Sequence, residues 1–226
     1  MMLSLAKRIA ETDRAMRVSR IDDRVAYMGD DLYGKTVGIV GFGNTGSRVA
    51  ELCSGLFAMP VLAYDPYLDA ETIAARGGRK VDLPELLQSS DFVSLHCPLT
   101  PETRGMIGAR EYALMKQGAF FVTAARGGIH DEKSLYDALR SGHLAGAGVD
   151  VWETEPPEPG HPLLSLPNVI ASPHTAGVTH SARRRLAIMA AEQLIAILRG
   201  GDPQRMLNPE ALPGFRERFR KVLGHA

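Results

Sequence analysis

This chain of 226 residues has no net formal charge, because 26 lysines and arginines balance 26 aspartates and glutamates. Without an excess of either sign, no long-range field draws it to nucleic acid or to an anionic membrane surface. Cysteine is scarce: only Cys53 and Cys97 are present. One falls in an expected helix and the other at a strand end, so no structural disulfide is expected, and a reducing cytosol is the simplest setting. No apolar run approaches the roughly 18 residues of a membrane-spanning helix. The opening Met1-Met2-Leu3-Ser4-Leu5-Ala6-Lys7-Arg8 lacks the apolar core of a secretory signal. His96, Cys97, His130, His143, His161 and His180 do not fall at metal-ligand spacing, so no metal is expected. What is abundant, 23 glycines and 14 prolines, fits a turn-rich α/β protein with one good core and a small appendage.

Strand and helix patterns alternate along the chain. Strands are expected at Thr36–Val40, Val61–Tyr64, Phe92–His96, Ala119–Thr123, Gly146–Val149 and Val169–Ala171. Helices are expected at Leu3–Met16, Gly43–Phe57, Leu68–Arg76, Leu83–Gln88, Ala109–Leu114, Asp131–Arg140 and Val178–Leu198. The strands are almost wholly apolar, which indicates a parallel sheet covered on both faces, and right-handed crossovers make it doubly wound. Pro156-Pro157-Glu158-Pro159-Gly160 reads as a rigid loop, Gly200-Gly201-Asp202-Pro203 as the stop of the last long helix, and the tail from Pro213 as a short helix or a basic terminus.

The most informative run is Val37-Gly38-Ile39-Val40-Gly41-Phe42-Gly43-Asn44-Thr45-Gly46, a strand leading into G-x-G-x-x-G and then a helix. In that setting Gly41 permits the tight turn, Gly43 lets the backbone approach a pyrophosphate, and Gly46 lets the helix close on the sheet. A diphosphate would rest on the free N–H groups of the helix start. Asp65 ends the next strand, where a carboxylate can bond adenosine ribose and disfavour a 2′-phosphate, so NAD is expected rather than NADP. A purely structural turn is the bland alternative for the three glycines.

Three further strand-end segments should converge at the same sheet edge: Thr123–Gly128, Asp150–Pro156 and Ser172–Gly177. Arg126, Glu155 and His174 suit hydride transfer between a hydroxyl carbon and nicotinamide. Arg126 can clamp a carboxylate and polarise the carbonyl beside it. His174 can move the hydroxyl proton, with Glu155 orienting its ring and favouring imidazolium. Position alone leaves ordinary roles open for Arg126, as a surface ion-pair residue, and for His174, as a structural hydrogen-bonding residue. Glu153 and Glu158 compete with Glu155, which the Glu-Pro pair selects. Arg183-Arg184-Arg185 reads as a solvated helix edge or a dimer contact rather than a nucleic-acid surface.

From Leu5 to Leu212 the sequence resembles the NAD-dependent D-2-hydroxyacid dehydrogenases, whose members include phosphoglycerate, glycerate and hydroxypyruvate-reducing enzymes. The likeness rests on Val40–Gly46, Asp65, His96-Cys97-Pro98-Leu99-Thr100-Pro101-Glu102-Thr103, Ala125-Arg126-Gly127-Gly128, Asp150–Pro156, and Pro173-His174 with Gly177. It implies a Rossmann-type, three-layer α/β/α fold. It also implies catalytic roles for Arg126, Glu155 and His174. Cofactor contacts are implied from Gly41, Gly43, Asn44, Thr45, Gly46, Asp65, Pro98, Thr103, Ala124, Arg126, Asp150, His174 and Gly177. The implied substrate is a small 2-hydroxy or 2-keto acid, and the implied assembly a homodimer, with neither nucleic acid nor membrane as partner. Thr123 stands where the family commonly has Asn.

Family members begin with a substrate-binding domain, whereas this chain begins at the helix that follows it. The expected organisation is a linker or dimerisation helix over 1–20, an NAD-binding domain over 21–200 and a stub of the substrate domain over 201–226. A truncated gene product or a misplaced start codon would explain this, and weak turnover beside intact NAD binding is the expectation. The alternative is a non-catalytic NAD-binding or self-association module derived from such an enzyme. A separate chain supplying the absent wall is a third possibility.

Overall fold

The computed structural model describes residues 1–19, 21–204 and 206–223. Arg20, which closes the expected linker, and the last three residues of the expected C-terminal stub lie outside them. The described chain divides into two compact units, Met1–Ala176 and the segment from Gly177 onward.

The first unit is built on one parallel sheet of seven strands: β1 (Val37–Val40), β2 (Val61–Tyr64), β3 (Arg79–Lys80), β4 (Phe92–Leu95), β5 (Ala119–Thr123), β6 (Leu144–Val149) and β7 (Val169–Ala171). Their order is β3-β2-β1-β4-β5-β6-β7, the doubly wound pattern in which winding reverses between β1 and β4. Successive residues alternate between two apolar layers. Val37, Ile39, Val61, Ala63, Phe92, Phe120 and Val122 point to one face. Val40, Leu62, Val93, Leu95 and Phe121 point to the other. Because both faces are covered, the strands read as continuous apolar runs. The expectation of a Rossmann-type α/β/α sheet holds.

The connecting helices start where a short acidic side chain accepts a backbone N–H of the first turn. Asp69 does so for α4 (Ala70–Ala75), Asp82 for α5 (Leu83–Ser89) and Asp131 for α7 (Glu132–Arg140). The sixth, α6 (Ala109–Leu114), follows Gly108. The third, α3 (Asn44–Phe57), follows Gly43 and has no side-chain cap.

The first expected helix is corrected. Leu3–Met16 is not continuous but forms α1 (Met2–Ala6) and α2 (Ile9–Val18). In an unbroken helix the Ala6 carbonyl would accept from Ala10; here it accepts from Asp30 N at 2.8 Å. Arg8 takes a left-handed conformation, φ 50°, with its guanidinium on both oxygens of Glu11 and on the Ala26 carbonyl. Leu5 and Ala6 are buried, while Ile9 and Met16 are exposed. α1 can approach β6 because Gly146 and Gly148 face it, where Cβ atoms would meet Leu5 and Met1.

The second unit contains α8 (His180–Leu198), capped by the Thr179 hydroxyl and ended near Gly200, and α9 (Leu212–Leu223). The tail is therefore helical, with Phe215 and Phe219 rings 5.7 Å apart and Arg216 paired with Asp202. Among the described residues no helix is long and apolar enough to cross a membrane.

Candidate active site

At the carboxyl end of β1 the three glycines each answer a different constraint. Gly41 has φ +87°, and a Cβ there would lie 2.5 Å from Cys97 N, on the far side of the winding switch. A Cβ on Gly46 would lie 2.1 Å from the Gly41 carbonyl oxygen, so α3 could not close on β1. Gly43 differs. Its φ of −70° suits any residue, and a Cβ would meet nothing within 4 Å. Neither backbone nor packing requires glycine at 43; the space beside it is open.

Bonding within α3 begins with Ser47 N on the Gly43 carbonyl, so the amides of Asn44, Thr45 and Gly46 have no intrahelical acceptor. A dinucleotide pyrophosphate fits this arrangement: open space, unsatisfied donors and a helix start. Asp65, just beyond β2, accepts Phe42 N at 2.9 Å and Tyr67 N at 3.0 Å. It is half-exposed, and carboxylate oxygens retain further lone pairs for hydroxyl donors.

A cleft of about 550 Å³ runs along this edge, lined by Thr45, His96, Cys97, Pro98, Leu99, Ala124, Ala125 and Arg126. It gathers Thr45 from the start of α3, Pro98 from the loop after β4, and Ala124 and Arg126 from the loop after β5. Thr103 is committed inside its own loop, its hydroxyl donating to the Pro98 carbonyl and accepting from Thr100 N. His96 bonds Ser94 Oγ through Nε2, and burial pushes its pKa down to about 4. Thr123 is fully buried, and its hydroxyl has no partner among the described residues. A second cleft, about 590 Å³, lies away from this edge between α1 and the β5–β7 strands. None of the residues implied by the resemblance lines it.

The loop after β7 carries His174, with its backbone in the left-handed region at φ 55°. Asp150 imposes that conformation. Its main-chain oxygen accepts His174 N at 2.7 Å. Its carboxylate accepts Ser172 Oγ, Thr175 N and Ala176 N at 2.5, 2.9 and 3.0 Å. Burial works to raise the Asp150 pKa, but the bonds from Ser172, Ala176 and Thr175 outweigh it and hold it below the usual range. Asp150 is 1% exposed, so in this conformation it shapes the turn that presents His174. Gly177 opens the second unit.

Glu155 Oε2 lies 2.8 Å from His174 Nδ1, and Oε1 accepts Trp152 N at 3.1 Å. The His174 bond chiefly holds the Glu155 pKa low, helped by the Trp152 amide and, by charge alone, by Arg126. Of the three nearby glutamates, Glu155 is the one bonded to His174. Glu132, which sequence reading passed over, and His161, which it weighed only as a metal ligand, also join this region. Glu132 accepts Glu153 N at 2.7 Å and pairs with His161 Nε2 at 3.0 Å. Separations of 21 and 29 residues leave no local pattern from which to find them.

Strand order, glycine turn and convergent strand-end loops define a Rossmann-type doubly wound domain. A family profile described as "D-isomer specific 2-hydroxyacid dehydrogenase, NAD binding domain" matches residues 1–176, and the chain belongs to that family. It is 43% identical over 224 residues to a glyoxylate reductase of Korarchaeum cryptofilum, covering 95% of this chain and 67% of that protein. It is 42% identical over 208 residues to a D-3-phosphoglycerate dehydrogenase of Archaeoglobus fulgidus, covering 92% of this chain and 39% of the relative. The crystal structure of D-lactate dehydrogenase with NAD+ from Lactobacillus jensenii superposes with a TM-score of 0.81 at 28% identity, over 91% of this chain and 65% of that one. The chain thus spans from about two-fifths to two-thirds of the length of these relatives.

Proposed function

We propose that this chain is the nucleotide-binding part of an NAD-dependent oxidoreductase that interconverts a D-2-hydroxy acid and its 2-keto acid. The observation that carries the reading is the Glu155–His174 pair at 2.8 Å, on the same sheet edge as the open Gly43 turn. Gly43, the amides of Asn44–Gly46 and the Asp65 carboxylate would hold the dinucleotide, and Asp65 favours NAD by repelling a 2′-phosphate. Bound there, the cofactor supplies or accepts the hydride.

The chain's own residues do the rest. Arg126 offers a planar fork of donors to a substrate carboxylate and polarises the neighbouring carbonyl. Its present bond, Nη1 to the Ala125 carbonyl at 2.6 Å, leaves other guanidinium donors available. His174 exchanges a proton with the substrate oxygen through Nε2, because Nδ1 faces Glu155. Glu155 fixes the ring and stabilises the imidazolium form. Glyoxylate, phosphoglycerate and lactate, named for the relatives, frame the substrate class as a short 2-oxo or 2-hydroxy acid. A homodimer in the cytosol is part of the proposal.

Calorimetric titration with NADH and NADPH, paired with keto-acid turnover, tests it. NADH should bind more tightly than NADPH. No NADH binding rejects the cofactor assignment, and binding without turnover on any short keto acid favours the non-catalytic module. The glycines give a sharper contrast. Gly43→Ala should weaken NADH by roughly tenfold or more, with a stability change within about 1 kcal/mol, since the new methyl meets only open space. Gly46→Ala should cost about 3 kcal/mol in urea unfolding, because the methyl meets the Gly41 backbone. Equal NADH affinity in wild type and Gly43→Ala would mean that space does not receive the pyrophosphate.

A further inference from the structure

Two adjacent amides, those of Trp152 and Glu153, point to two different carboxylates, and each carboxylate also bonds a histidine. Trp152 N donates to Glu155, which bonds His174. Glu153 N donates to Glu132, which bonds His161. The first pair sits in the proposed reaction centre; the second is joined to it through the Trp152–Glu153 peptide. Glu132 and His161 side chains are only 11% and 21% exposed. A carboxylate only accepts, so His161 donates from Nε2. Its buried Nδ1 has no partner among the described residues, so the Glu132 bond is the one hydrogen bond this ring makes there.

His161 also stands edge-on to the Trp152 ring at 5.3 Å and 74°, and the indole N–H donates to the Ser172 carbonyl at 3.0 Å. On the other side lies Gly127. A Cβ there would fall 1.8 Å from the Trp152 oxygen and 2.9 Å from Glu153 N. The residue after Arg126 therefore rests directly against the peptide that Glu132 grips. A shift of this peptide must move the backbone beside Arg126, the amide that Glu155 accepts, or both.

We infer that Glu132 and His161 are positioning residues that fix the Trp152–Glu153 peptide and thereby set the relative placement of Arg126 and Glu155. This inference rests on reading Arg126, Glu155 and His174 as the reaction centre. Glu132 is suited to the task because it opens α7 immediately after the cap Asp131, so the helix start anchors it. A bond from an amide to a charged acceptor in a poorly hydrated position resists displacement more than a neutral one.

The test uses the full chain and two NMR readouts: hydrogen exchange of the Glu153 amide and the midpoint of the His174 imidazole titration. Glu132→Ala should speed Glu153 exchange by roughly tenfold or more relative to the Ile39 amide in β1. It should also move the His174 midpoint by about half a unit or more toward that of Glu155→Gln. His161→Gln, whose side-chain amide can still donate to Glu132, should restore most of both values, whereas His161→Ala should not. If Glu132→Ala does not fold, Glu132→Gln is read instead. Its single carbonyl oxygen can accept from Glu153 N or from His161 but not from both as the two carboxylate oxygens do, so smaller changes of the same sign are expected in both readouts.

An unchanged midpoint in the Glu132 variants, with Glu153 exchange rising no more than Ile39, overturns the positioning role. An unchanged midpoint in Glu155→Gln counts instead against the reaction-centre reading, and Glu153 exchange alone then decides the positioning claim. A melting-temperature loss by itself counts against the inference, since mere support of the fold would produce it.

Discussion

His174→Asn is expected to slow keto-acid reduction by roughly 10²- to 10⁴-fold, the usual contribution of a positioned proton donor, while NADH affinity stays within about twofold. Asparagine is the informative replacement because His174 sits at φ 55°, a region that asparagine enters more readily than most side chains. The Asp150 bonds to Ser172, Thr175 and Ala176 then survive, and the loop keeps its shape with the proton donor removed. Glu155→Gln is expected to lose less, roughly 10- to 100-fold, since its one carbonyl oxygen can still accept from the ring, while the charge and the second acceptor, now on Trp152 N, are lost. Single-turnover kinetics with enzyme in excess of NADH read slow chemistry directly. A His174→Asn variant as fast as wild type would remove His174 from the proton-transfer role and leave Arg126 without its partner in the mechanism.

The covered parallel sheet and the glycine turn were legible in the sequence for a common reason: each is a constraint that deletes or demands a side chain at a fixed place. Gly41 and Gly46 are fixed by atoms within the same strand-turn-helix unit or just across the switch point. Strands buried on two faces are apolar at nearly every position, so β1, β2, β4 and β5 announced themselves. The helices α4, α5 and α7 announced themselves too, though α4 begins after its cap Asp69 rather than at Leu68. β3 did not, because it has two residues, Arg79 and Lys80, both exposed at the sheet edge. Nor did the break before α2, which depends on Asp30 claiming the Ala6 carbonyl from 24 positions away.

The reaction-centre candidates were legible by a different route. Arg126, Glu155 and His174 lie at strand ends that the winding must bring together, and the structure brings His174 and Glu155 into direct contact. Glu132 and His161 were hidden for the complementary reason. Glu132 is placed by a backbone amide, which leaves no mark in a sequence, and His161 by Glu132, 29 positions away. For Asp150 the resemblance implied a cofactor contact, while its oxygens are occupied by Ser172 and two amides of its own loop.

Acid should destabilise the first unit well before its carboxylates titrate, and His130 and His96 are the cause. His130 is 2% exposed, and neither ring nitrogen has a partner among the described residues. It packs against Phe121 with ring centroids 5.5 Å apart. Burial pushes its pKa down to about 4, against the weaker opposing pull of Glu132 and Asp131. Burial likewise lowers His96 to about 4. Both imidazoles are therefore neutral in the folded chain at pH values where an unfolded chain, with an ordinary histidine pKa near 6.5, already binds protons. Stability must fall as pH drops through about 6.5 and keep falling until about 4, where the folded state also takes up the protons. Each group contributes on the order of 3 kcal/mol across that window, a large share of the roughly 5–15 kcal/mol typical of a domain. Urea unfolding followed by Trp152 fluorescence at pH 7.5 and pH 5 reads the difference. His130→Leu should flatten about half of it. It should also raise stability at pH 7.5 by about 1 kcal/mol or more, since it removes buried polar atoms that have no bond to lose. A His130→Leu variant with the wild-type pH slope would show that this ring is hydrated or bonded in solution and titrates normally.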